Sequence, residues 1–205
     1  MSESLGQSEK EKYTVIWKCD EYRSFSPGEV SIKNFKIIDI LRNCGAKTVL
    51  DAGCGTGKLM RVLMEECSDE FSVQGFDIAE NCLDPFFDNI KNDILTVGVL
   101  WDEKDFNRKY DAIICTDVLE HIPTEKVKLV LENFYRCTKI FCYFSIALLP
   151  DGFGPKIIGQ HLHLTVKESD WWITQIKEAG FGNPQHVIEK HPDGYETWLH
   201  VFLFK

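Results

Sequence analysis

A chain of 205 residues, 44% hydrophobic and 27% charged, has the length for one domain with a sizeable core. Its formal net charge of -9 and pI near 5.2 argue against a nucleic-acid backbone as partner, which would need a basic patch to neutralise phosphates. Eight cysteines without a Cys-x-x-Cys pair, no charged-then-apolar leader pattern and no apolar run of the ~18 residues a membrane span needs lead us to expect a reduced, cytoplasmic protein with no membrane contact and no metal site.

Residues 1–12 are polar and charged, so a disordered tail is expected there. The stretch from Tyr13 to Gly28 is too aromatic for a tail, and with Ile32, Phe35, Ile38, Ile40 and Leu41 it forms an expected helical cap over residues 13–45. Lys47 to Leu50 has the β-branched, apolar character of a buried strand, and Lys58 to Met64 has helical spacing. Between them runs Asp51-Ala52-Gly53-Cys54-Gly55-Thr56-Gly57. A glycine at every second position permits a tight turn with a ligand lying on the main chain, and the amides opening the next helix carry partial positive charge. A phosphate loop needs Gly, four residues, then Gly-Lys-Ser/Thr. Here Leu59 follows Lys58 and Ala52 stands five before Gly57, so the spacing excludes it. The dinucleotide pattern Gly-x-Gly-x-x-Gly also fails.

Phe71 to Ile78 reads as a second strand, and its closing acid, Asp77, follows the glycines at the spacing of a carboxylate that bonds ribose hydroxyls. Ile94 to Trp101 reads as the third strand and Tyr110 to Thr116 as the fourth. Pro123 opens a helix with Val127, Val130, Leu131 and Phe134 as apolar positions. Lys139 to Ala147 is apolar throughout, as a buried parallel strand should be. Leu148 to Leu164 is a loop long enough to be functional; extended, it would set His161 and His163 on one face. A helix over Lys167–Ala179 and strands over Gln185–Glu189 and Glu196–Phe204 close the chain.

Three stretches, Asp51 to Gly57, the strand ending in Asp77, and Tyr110-Asp111-Ala112-Ile113-Ile114-Cys115-Thr116-Asp117-Val118-Leu119-Glu120-His121-Ile122-Pro123, together resemble the class I S-adenosylmethionine-dependent methyltransferases. The glycine motif matches that family's Asp-x-Gly-x-Gly-x-Gly signature. The resemblance implies one α/β domain over residues 46–205, a Rossmann-like seven-stranded, mostly parallel sheet flanked by helices, ordered 3-2-1-4-5-7-6 with the last strand antiparallel. It implies S-adenosylmethionine as cofactor, held by Asp51, Gly53, Cys54, Gly55, Gly57, Asp77, Ile78, Leu100, Trp101 and Thr116, with Trp17, Tyr22 or Arg23 closing over it. Many relatives carry an acid after the third strand for the adenine amine; here Val99 or Leu100 takes that place, with Asp102 slightly later. Asp84-Pro85-Phe86-Phe87 is similar to a motif of amino-methylating DNA enzymes but follows the wrong strand, and no proline precedes a cysteine as cytosine C5 methylation requires.

Methyl transfer mainly needs alignment of nucleophile and methyl, with a base where the nucleophile carries a proton. Candidates at the crevice are Asp117, His121, His161 and His163, with Asp151 in the loop. His121 reads either as such a base or as packing at a helix start. His163, the better choice of the two loop histidines, reads either as a base or as a buried histidine bonded to a carbonyl. The expected acceptor is an oxygen or nitrogen of a small molecule or sugar, and the expected assembly a monomer or homodimer. A binding-only protein of this fold and a methyltransferase of macromolecules are the alternatives.

Overall fold

The computed structural model describes residues 2–24, 27–67 and 69–205. Strands β1 (Thr48–Ala52), β2 (Ser72–Asp77), β3 (Leu95–Val97), β4 (Tyr110–Thr116), β5 (Thr138–Ala147), β6 (Gln185–Lys190) and β7 (Glu196–Phe204) form one sheet, ordered β3-β2-β1-β4-β5-β7-β6. β1 to β5 pair in parallel, and β7 runs antiparallel to both β5 and β6. The single α/β domain and its strand order are those the resemblance implies.

Alternate residues of the central strands bury opposite faces. Val49, Ile114 and Phe141 face α3 (Pro27–Asn34), α4 (Ile37–Asn43) and α5 (Lys58–Glu66), meeting Ile32, Leu41, Met60 and Leu63. Leu50, Ile113 and Phe144 face α7 (Thr124–Cys137) and α9 (Ser169–Glu178), meeting Val130, Phe134, Trp172 and Ile176. Each such side chain contributes about 1.5–3 kcal/mol when fully buried. The sheet is thereby a rigid platform, and the ends of β1, β2 and β4 present their turns at one edge.

Residues 2–12, where a disordered tail is expected, are helical. They form most of α1 (Ser2–Ile16), whose inward face is Leu5, Gly6, Glu9, Tyr13 and Ile16, spaced three or four apart. Only Leu5 of those in the first twelve is a large apolar residue, so the composition conceals the helix. The chain then turns through Trp17 into α2 (Asp20–Ser24). Arg23 fixes that turn by donating to the carbonyls of Trp17, Asn81 and Leu83 at 3.1, 3.2 and 2.9 Å.

The third strand is shorter than expected, Leu95–Val97, preceded by α6 (Lys91–Ile94). Asp84 accepts from Phe86 N and caps a 3-10 turn that buries Phe87 beneath Gly57, giving the Asp-Pro-Phe-Phe stretch a structural role. The long loop contains α8 (Phe153–Ile157) and folds back on the turn after β4: Leu164 N and Thr165 N both donate to Glu120 O, and the Thr165 hydroxyl donates to Ile122 O. No helix among the described residues is long and apolar enough to cross a membrane.

Candidate active site

The glycine turn is anchored from β2, where Phe76 O accepts from Gly53 N and Cys54 N. Gly55 and Gly57 have φ of 51° and 80°, the left-handed region where a Cβ is costly. A Cβ on Gly55 would lie 2.8 Å from the Trp17 indole, so the chain leaving α1 lies directly on the turn. Asp77 accepts from Gly55 N through Oδ2 at 3.0 Å and from Ala79 N through Oδ1 at 2.9 Å.

One cavity runs over this turn. Its lining includes Glu9, Tyr13, Trp17 and Tyr22 from the N-terminal segment, Asp51, Gly53, Cys54 and Gly55, Asp77 and Ile78, Leu100 and Trp101, and Thr116, Asp117 and His121. Four carboxylates, Glu9, Asp51, Asp77 and Asp117, line it, with no lysine or arginine. Burial, and then the neighbouring Asp77, pushes the Asp51 carboxyl up to about 8. Burial raises Asp77 to about 6 against the pull of its amide donors. Such a cavity favours a cationic ligand over a pyrophosphate, in keeping with the glycine spacing.

The wall opposite the glycines is the turn after β4. Asp117 has φ 58° and donates its N–H to Ser145 O, so the chain reverses sharply into a 3-10 turn over Leu119–His121. Glu120 is fully buried; its Oε1 accepts from Ala147 N at 2.7 Å, and its carboxyl meets that of Asp117, with which it shares a proton. His121 Nδ1 lies 2.7 Å from the Tyr13 hydroxyl, and its Nε2 is buried without a partner. The His163 ring meets that of His121 at 4.7 Å, and its Nδ1–H donates to Leu149 O at 2.6 Å. Burial raises the Asp117 and Glu120 carboxyls, and burial followed by the His163 charge pushes the His121 imidazolium well down.

A family profile described as a methyltransferase domain matches residues 32–188, well over half of the sequence. The chain belongs to this family. It is a class I, S-adenosylmethionine-dependent methyltransferase. Solved methyltransferases share the fold at low identity. A magnesium protoporphyrin IX methyltransferase from Synechocystis with bound SAH is 20% identical, over 85% of this chain and 80% of that one, with a TM-score of 0.61. A SAM-dependent methyltransferase from Archaeoglobus fulgidus is 13% identical over 91% and 97%, with a TM-score of 0.66. Phosphoethanolamine N-methyltransferase 2 of Haemonchus contortus is 15% identical over 82% of this chain and 51% of its own, with a TM-score of 0.61. No curated protein matches the sequence.

The residues present fit the methyltransferase cofactor. The acidic lining suits a sulfonium and an ammonium, Asp77 offers a carboxylate to hydroxyl groups, and Ile78, Leu100 and Trp101 form an apolar wall that an aromatic base would fit. Asp51, Gly53, Cys54, Gly55, Asp77, Ile78, Leu100, Trp101 and Thr116 all reach the cavity, as do Trp17 and Tyr22. Gly57 stays behind it as the left-handed cap of α5. Asp102 faces a neighbouring groove instead. Arg23, expected to close over the cofactor, is spent on three backbone carbonyls outside the lining.

Asp117 and His121 reach the cavity together, and His163 stands against His121. His161 does not join them. Asp151 accepts from the successive amides of Leu162 and His163, which curls the segment that an extended reading aligned, and leaves the His161 side chain 68% exposed, 3.6 Å from Asp151. The sequence reading passed over Glu120 and Tyr13. A carboxylate, a carboxylate and an imidazole spaced i, i+3, i+4 at a strand end was the available signal for Glu120; Tyr13 had none, since its role depends on how α1 docks.

Proposed function

We propose that this methyltransferase alkylates an oxygen of a small-molecule or sugar-type acceptor that enters between the turn after β4 and the loop carrying His163. The observation that carries this reading is the buried, unpartnered Nε2 of His121 in the wall of the cofactor cavity. A hydroxyl nucleophile must lose a proton, and a neutral imidazole with a free nitrogen, beside the Asp117 carboxylate, is the group to receive it. His121 stays neutral because burial disfavours its cation, and the Tyr13 hydroxyl holds its ring.

S-adenosylmethionine, when bound, supplies an electrophilic methyl on a sulfonium. The protein's own part is positioning: the glycine turn and Asp77 fix one partner, the 117–121 turn fixes the other, and Trp17 and Tyr22 exclude water. A nitrogen acceptor fits the same cavity with less need of a base, and the acidity of the chain speaks against polyanionic acceptors. Labelled S-adenosylmethionine incubated with matched hydroxyl and amine acceptors tests the reading. Transfer to phenolic, carboxylic or sugar oxygens is expected; transfer to amines alone would replace this proposal with N-methylation.

A further inference from the structure

Two groups of metal-ligating side chains occur among the described residues. In the first, Cys54, Asp77 and Cys82, each carboxylate oxygen already holds a backbone amide and neither is buried without a partner. The second is different. Asp117, Glu120, His121 and His163 each direct a ligand atom to one point, all within 4.8 Å of one another. Ligands at the ~2.1 Å bonds of a first-row divalent ion stand about 3.0–4.3 Å apart, so a contraction of a few tenths of an ångström closes the set.

Two independent observations single this cluster out. First, His121 Nε2 is buried, the residue only 8% exposed, and has no hydrogen-bond partner, while the fully buried Glu120 carboxyl is matched by another acid, Asp117, so that the two must share a proton where a cation would serve both. Buried polar atoms of this kind are normally satisfied, and each costs about 1–3 kcal/mol when it is not. Second, both histidines are held from behind. His163 Nδ1–H donates to Leu149 O, which leaves Nε2 as the lone-pair nitrogen, and the Tyr13 hydroxyl occupies His121 Nδ1. An imidazole locked by its far nitrogen is the usual support of a metal ligand. The backbone contributes too, since Asp117 adopts its left-handed conformation at the centre of the cluster.

We infer that Asp117, Glu120, His121 and His163 bind one divalent cation of borderline hardness, of the Mn2+, Co2+ or Zn2+ type, on the acceptor side of the methyl-transfer cavity. Two carboxylate oxygens and two imidazole nitrogens favour such ions over Mg2+ or Ca2+, which prefer oxygen alone. Two carboxylates also balance the charge of a dication. Four protein ligands leave positions open where Asp117 and His121 face the cavity; with His121 Nε2 given to the ion, the ion would take over from the free imidazole the activation of the acceptor, and a hydroxyl ligated there would release its proton to solvent more readily. The role given to the ion rests on the oxygen-acceptor reading above; the site itself does not.

The test starts from full-length protein stripped with a chelator, with no cofactor or acceptor present. Mn2+ is titrated in and the free ion followed by its electron paramagnetic resonance signal. One ion per chain is expected, displaced by Zn2+ or Co2+ but not by equimolar Mg2+. His163→Asn and Glu120→Gln should each weaken binding at least tenfold, with S-adenosylhomocysteine affinity held within about twofold as evidence of folding. A Mn2+ signal that the protein leaves undiminished, or binding that neither variant changes, overturns the site. Mg2+ competing as well as Zn2+ overturns the assigned class of ion. Oxygen methylation undiminished in metal-free protein overturns the role given to the ion and leaves the acceptor reading standing, whereas stoichiometric Mn2+ with no transfer to any hydroxyl supports the metal site and sinks the acceptor reading.

Discussion

The Trp17 indole rests on Gly55, so close that a Cβ at residue 55 would sit 2.8 Å from the ring. The chain leaving α1 therefore closes the glycine turn from above, and a glycine serves both a left-handed backbone and a neighbouring ring. Gly55→Ala should cost about 1–2 kcal/mol from φ alone and displace the indole besides. We expect a lowered melting temperature and at least about tenfold weaker cofactor binding by calorimetry. Trp17→Phe should fold normally and lose most of the fluorescence change that the cofactor produces; an undiminished change would mean that the ring does not sense the ligand.

Both oxygens of Asp77 already hold backbone amides, so it supports the glycine turn as well as lining the cavity. Asp77→Ala should weaken cofactor binding by about 1.5–3 kcal/mol, the scale of hydrogen bonds to a charged group. It should also lower the melting temperature of the free protein, since Gly55 N and Ala79 N lose their acceptor. An Asp77→Ala protein that binds S-adenosylmethionine as tightly as the parent would remove Asp77 from the cofactor site.

Cofactor affinity should depend on pH with a defined sign. In the free protein Asp77 titrates at about 6 and Asp51 at about 8, against about 3.9 for an unfolded aspartate. The folded chain thus keeps protons that the unfolded chain has lost, and its stability falls as pH rises from about 4 to about 8. A cationic ligand favours the ionised carboxylates, so S-adenosylmethionine should bind more tightly as pH rises through the same range and release protons on binding at pH 7. Calorimetry in two buffers of different ionisation heat measures those protons. S-adenosylhomocysteine, without the sulfonium charge, should show a weaker dependence; equal slopes for the two ligands would refute the electrostatic account.

Tyr13 reaches across from α1 to hold His121, through a bond between residues 108 positions apart in sequence. Tyr13→Phe keeps the ring and frees the imidazole. Turnover should fall about 10- to 100-fold, the usual effect of removing such a support, while cofactor affinity changes little. If turnover persists and only stability drops, the hydroxyl is a packing group.

The sheet was legible because its strands are long apolar or alternating runs and the helices between them have clear spacing. Its order came with the resemblance carried by Asp51 to Gly57 and the Asp117 to Pro123 segment. The cofactor side was legible for the same reason: contiguous motifs at strand ends encode it. What escaped was assembled from distant pieces. The inward face of α1 combines Gly6, which packs on Val99, with Glu9 and Tyr13, and no scale of hydrophobic spacing registers such a face. The pairing of His161 with His163 failed because one carboxylate, Asp151, takes two successive amides and bends an alternating segment. Glu120 stands in the sequence as one more polar residue beside His121, and only the fold shows it fully buried against the Asp117 carboxyl.

The backbone at Asp117 carries one more implication. A left-handed aspartate whose partly buried carboxyl is pushed toward its neutral form taxes the folded state twice, through its Cβ and through desolvation. Asp117→Gly relieves both, and the relief of about 1–2 kcal/mol exceeds the roughly 0.5–1 kcal/mol of extra chain entropy that glycine brings. A laboratory selection for heat resistance alone would therefore drift toward glycine at this position and discard a carboxyl on which the proposed acceptor site depends. Any engineering campaign on this protein has to score turnover alongside thermal endurance from its first round.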